Sequence, residues 1–144
     1  MAIDTSTWPT SDLAEDLDPF LRDFTEDDDP VTEVVNAACG RCGATVFSVH
    51  LDDDEGAAQR TCTTCGAEFV MLDSADVIQE ADLEEAACPC GCEAFNVAVG
   101  FAFHDDGDVR WVYLGLRCVA DGILGCYADW SIDYSPSAHL RDLV

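Results

Sequence analysis

The sequence predicts a small, mostly-β protein of two tandem cysteine-based modules, joined by a short helix and preceded by an acidic extension. Three observations predict it. Cysteine pairs with a following glycine recur, as Cys39-Gly40-Arg41-Cys42-Gly43, as Cys62-Thr63-Thr64-Cys65-Gly66 and, altered, as Cys88-Pro89-Cys90-Gly91. Stretches of alternating apolar residues lie between and after them, the clearest being Phe95, Val97, Val99, Phe101 and Phe103. The chain has 144 residues and nine cysteines, which suits two very small domains. Units below roughly 70–80 residues need a metal or disulfides beside their core.

Residues 1–36 form the extension. Thr5, Ser6, Pro9, Pro19 and Pro30 interrupt long elements, and Glu26-Asp27-Asp28-Asp29 is an acidic run. Part of it reads as disordered and part as a short helix, with Ser11 as cap, Glu15 near the third position and Leu13, Leu17, Phe20, Leu21 and Phe24 at helical spacing. Pro19 limits that helix.

The first module spans 37–73. Phe47, Val49 and Leu51 alternate as a strand, Asp52 to Gly56 make a solvated loop, and a strand returns to Cys62, followed by another over Glu68 to Leu72. Residues 74–87 are the connector, a helix capped by Asp73 or Ser74 with Val77, Ile78, Ala81, Leu83 and Ala87 on one face. The second module spans 88–135. Its strand 95–103 turns at Asp105-Asp106-Gly107-Asp108 into a strand over Val109 to Leu116, and a third runs from Cys126 to Tyr134. Residues 136–144 are a C-terminal tail. On the 109–116 strand Trp111 and Tyr113 share one face and Val112, Leu114 and Leu116 the other, so both faces require cover.

The two modules align. Phe47 lies five residues after Cys42 and Phe95 five after Cys90, while Cys62-Thr63-Thr64-Cys65-Gly66 matches Cys118-Val119-Ala120-Asp121-Gly122. Two residues between paired cysteines let a tight turn aim both sulfurs at one ion, and the glycine after the pair permits the backbone to close. Nineteen residues separate Cys42 from Cys62, room for a hairpin at the spacing of four-cysteine zinc sites. The expected ligands are therefore Cys39, Cys42, Cys62 and Cys65 at a first Zn²⁺, and Cys88, Cys90, Cys118 and Asp121 at a second, with Cys92 as the alternative fourth ligand and a metal-free second module held by packing as the third reading. The paired knuckles of Cys39, Cys42, Cys62 and Cys65 resemble the zinc-ribbon superfamily. The resemblance implies a fold and leaves function open, because ribbons serve transcription, translation and protein-binding adaptors alike.

Thirty acidic residues stand against six arginines and no lysine, a formal charge of −24. Such a field repels phosphate backbones and argues against direct nucleic-acid binding. No apolar run approaches the ~20 residues that cross a bilayer, and no secretory leader opens the chain, so the expectation is a cytoplasmic protein with reduced thiols. Cys126 reads as a small buried hydrophobe, and His50, His104 and His139 have no ligand at metal spacing. No catalytic residue is nominated. The leading expectation is a non-enzymatic zinc-binding adaptor or regulator with an acidic surface and a protein partner, basic if charge decides. The alternative is an acidic inhibitor, immunity-type or DNA-mimic protein covering a basic site on an enzyme. A zinc enzyme using Asp121 as a weak ligand ranks third.

Overall fold

The structure is a computed structural model that describes residues 10–27, 29–132 and 137–144. Its elements are α1 (Leu17–Phe24), β1 (Glu33–Asn36), β2 (Phe47–Asp52), β3 (Ala57–Cys62), β4 (Glu68–Val70), β5 (Glu84–Glu85), β6 (Phe95–Phe103), β7 (Val109–Cys118) and β8 (Leu124–Ser131). Short 3₁₀ turns cover Ala14–Asp16, Ser74–Asp76 and Ala138–Asp142. The molecule is thus small and mostly β, with one short α-helix among the described residues. Residues 1–9 of the expected extension, and Tyr134 at the expected end of the last strand, lie outside them.

All eight strands belong to one antiparallel sheet, ordered β4-β3-β2-β6-β7-β8, with β1 against β6 and β5 against β2. The seam between its halves is the pairing of Phe47 with Phe95. These are the residues the sequence repeat equates, so β2 and β6 meet near their starts and run away from each other. Beyond the seam the halves exchange strands. The Ala37 N–H donates to Val97 O, and the Ala86 N–H donates to Val49 O, both at 2.8 Å. Ala37 and Ala86 each lie two residues before a first knuckle cysteine, and Val97 and Val49 two after the seam phenylalanines. Each half lends the strand before its first knuckle to the other half.

That exchange replaces the expected connector helix. Residues 74–87 form a 3₁₀ turn, further turns and β5, whose Glu84 and Glu85 pair with Leu51 and His50. Asp73 provides no side-chain cap to this turn. A helix would set Glu80 over Glu84, a like-charge contact at i,i+4. The free edge of β2 offers backbone hydrogen bonds instead.

The core lies mainly on one face, where Phe47, Val49, Met71, Phe95, Val97, Val99, Phe101, Leu114, Leu116 and Leu140 are almost fully buried. Leu17, Leu21 and Val31 cover the other face against Ala98, Tyr113 and Leu124. Residues 10–36 therefore supply both α1 and β1 to the body. Two glycines allow the close approach, since a Cβ at Gly100 would lie 2.9 Å from Val31 Cγ2 and one at Gly115 would lie 3.0 Å from Leu21 Cδ1. Pro19 falls in the first turn of α1, where a missing N–H costs nothing. Ser11 does not cap α1: its hydroxyl accepts the Leu13 N–H and donates to Asp16 in the turn before the helix.

Candidate metal centres

Each knuckle is closed by backbone hydrogen bonds that recur in both halves. Cys39 N–H donates to Ala44 O and Cys88 N–H to Cys92 O, both at 2.8 Å. Cys62 N–H donates to Ala67 O and Cys118 N–H to Ile123 O, both at 2.9 Å. The glycines after the pairs are left-handed, with φ of 77° at Gly43, 78° at Gly66, 92° at Gly91 and 79° at Gly122. The shortened pair is accommodated by a tighter turn, since Gly91 N–H returns to Cys88 O three residues back whereas Gly43 N–H returns to Cys39 O four back.

Because the strands deliver one knuckle to each side of a hairpin end, four donors converge twice. The ligand atoms of Cys39, Cys42, Cys62 and Cys65 all lie within 4.8 Å of one another, as do those of Cys88, Cys90, Cys118 and Asp121. Sulfurs are 3.6 Å apart for Cys39 and Cys65 and 3.5 Å for Cys42 and Cys62. A disulfide needs about 2.05 Å, whereas a tetrahedron of thiolates at about 2.3 Å from zinc has edges of about 3.8 Å. These four cysteines are accordingly free thiols, spaced so that they could hold a metal ion. The second group has the same pairing, with Cys90 and Cys118 at 3.7 Å and Cys88 at 3.4 Å from Asp121 Oδ2. Cys92 stands apart from it. Its thiol accepts the Ala94 N–H at 3.5 Å, and the group that could hold an ion contains Asp121 and not Cys92.

The electrostatics fit a cation. Cys42 and Arg41 N–H groups directed at Cys39 draw its thiol down to about 6. The Ala44 N–H favours a Cys42 thiolate, yet contact with Cys62 and burial push that thiol up to about 12. Closely packed sulfurs cannot all ionise alone, and a divalent ion removes the conflict. In the second group burial drives the Cys88 thiol up. Burial opposes ionisation of Asp121 as well, but the Ile123 N–H and the Cys118, Cys90 and Cys88 thiols hold it down at about 2. Its carboxylate is ready to ligate. Thiolate-rich tetrahedral donor sets suit Zn²⁺. Neither group includes a histidine.

The surroundings differ. Beside the first group Arg60 is buried between the rings of Phe47 and Phe69, at 4.6 and 4.4 Å from their centroids, and donates to Val144 O at 2.8 Å. Counting back from the matched cysteines, its equivalent is Leu116. Beside the second group Tyr127 packs edge-on against Phe95 at 5.5 Å, its ring filling the space over Gly125. Burial and the nearby ligands of the second group push its hydroxyl up to about 12. Tyr127 also lines a cavity of about 470 Å³ whose walls include Asp52, Asp53, Asp54, Asp82, Glu84 and Glu85 beside Leu51, Ala86 and Ala87. The sequence marked Asp52 to Gly56 only as a loop, and nothing in it signalled that β5 would bring more carboxylates alongside. Cys126 lies on the α1 side, its thiol pushed up to about 12 by burial.

No helix among the described residues is long and apolar enough to cross a membrane. Comparison with protein-family models, curated proteins and solved structures found no match.

Proposed function

We propose that the chain is a non-enzymatic zinc protein of two tandem zinc-ribbon-like modules, an interaction adaptor or regulator whose acidic face takes a basic segment of a partner protein. The convergence of two tetrahedral donor sets supports the zinc half of this reading. The acidic cavity supports the other half. Six carboxylates around a tyrosine ring and the apolar Leu51 and Ala86 suit arginine or lysine side chains, whose stems pack on carbon while their heads meet charge. The metal does no chemistry in this reading; its ligands hold the ends of hairpins that carry the cavity walls.

Native mass spectrometry should find two zinc ions on the purified chain and one on Cys118→Ser. An arginine-rich peptide should bind in calorimetry, more weakly as salt rises, and lose binding in Asp53→Asn/Glu84→Gln/Glu85→Gln. A chain without bound zinc sinks the first half, and a peptide that ignores those substitutions sinks the second. An inhibitor of a basic enzyme site would use the same surface, and differs in abolishing its target's activity.

A further inference from the structure

The two donor groups share a scaffold but not an environment. Gly66 and Gly122 close equivalent knuckles with φ of 78° and 79°. A Cβ on Gly66 would meet nothing within 4 Å, whereas one on Gly122 would lie 2.3 Å from Ser11 O. The second knuckle is clasped by the segment preceding α1. Ser11 N–H donates to Gly122 O at 2.9 Å, Thr10 bridges to Ile123, and Arg117 Nε donates to Ser11 O at 2.8 Å while its Nη1 reaches Asn96 Oδ1 at 2.9 Å. Three of these contacts fall on residues 117, 122 and 123, within five positions of the ligands Cys118 and Asp121. The hydrogen bond and the bridge form on the folded knuckle, in which Gly122 N–H returns to Cys118 O and Cys118 N–H to Ile123 O.

The ligands of that knuckle are also the weaker set. Asp121 is exposed and offers a hard carboxylate where the first group has the soft thiolate of Cys65, and Asp121 Oδ1 already accepts the Ile123 N–H at 3.1 Å. Zinc held by three thiolates and one exposed carboxylate leaves more readily than zinc held by four thiolates. We infer that the second centre is an exchangeable zinc site that latches the N-terminal segment: with the ion bound, residues 10–16 are strapped to the sheet; when it leaves, the Cys118–Gly122 knuckle opens and the strap is released, while the first centre keeps β2 and β3 in place. The inference rests on the two-centre reading above.

The test uses the full chain loaded with two zinc ions and a graded zinc chelator, with native mass spectrometry counting ions and hydrogen exchange followed by peptide. The first ion should leave with amides of residues 11–16 exchanging about fivefold to tenfold faster for each net hydrogen bond lost. Peptides of β2 and β3 should be unchanged at that point. Asp121→Cys should delay both events together. Gly122→Ala should free the strap with both ions still bound, whereas Gly66→Ala, carrying the same left-handed strain without the clash, should leave it protected. If the chain never carries two ions, the two-centre reading fails and the latch with it. If two ions bind but the strap stays protected after the first leaves, or β2 and β3 loosen first, the latch alone is overturned.

Discussion

Phe47 and Phe95 face each other across the seam between β2 and β6, and each also stands opposite a cysteine of a candidate metal group, Cys62 and Cys118 respectively. Both rings are fully buried. The seam therefore ties each knuckle to the same point of the core, and the leading strands β1 and β5, crossing to opposite halves, lock it from both sides.

Truncating either ring at that point leaves a cavity beside a knuckle. Phe47→Ala and Phe95→Ala should each cost about 3–5 kcal/mol in urea unfolding of the zinc-loaded chain. Because the two rings are paired, the double variant should lose less than the sum of the single losses.

Arg60 is a buried cation whose Nε has no hydrogen-bond partner, occupying the place Leu116 fills in the other half. Burial lowers its pKa, against the pull of the Cys39 and Cys62 sulfurs. Arg60→Met should therefore hold stability within about 1 kcal/mol or raise it, since an apolar chain of similar length avoids the desolvation cost. Arg60→Ala should cost about 2–4 kcal/mol because the space between Phe47 and Phe69 empties. Equal losses for both would show that the charge itself is required.

The docking of residues 10–36 depends on missing side chains. Gly100→Ala should cost about 1–3 kcal/mol, since Val31 must give way. Gly40→Ala, with nothing within 4 Å, should change stability by less than about 0.5 kcal/mol. Thermal melts of the two variants separate the effects.

Glu93 shares a hydrogen bond with Glu85 and feels its charge, which raises its pKa above the ordinary 4.5. The folded state then binds more protons than the unfolded one in the window above 4.5. Its contribution to stability falls as pH rises through the folded value and is unfavourable beyond it. Glu93→Gln should raise the melting temperature at pH 7 and leave it unchanged well below pH 4. A rise of equal size at both pH values would place the cause elsewhere.

The strands were legible because alternation is local. Phe95 to Phe103, the 105–108 turn and the strand from Val109 lie where periodicity put them, and the last strand starts two residues earlier, at Leu124. The knuckles were legible because three cysteine pairs, the Cys118–Asp121 spacing and four glycines encode a turn chemistry that needs no distant partner. The connector was not. Its apolar residues also fit a helix, and β5 exists only because the edge of β2 is free to receive it.

By itself the sequence determined the candidate donors, with Asp121 and Cys92 as rivals for the last place, and the correspondence of Phe47 with Phe95, since these are matters of spacing along the chain. Tertiary structure alone decided that these phenylalanines pair directly, that each half completes the other's sheet, that Asp121 and not Cys92 turns toward Cys88, and that the N-terminal segment seizes one knuckle and leaves its twin open. The physical reason is that hydrogen bonds between strands and the packing of rings depend on which backbone edges come together in space, and spacing along one chain does not specify that.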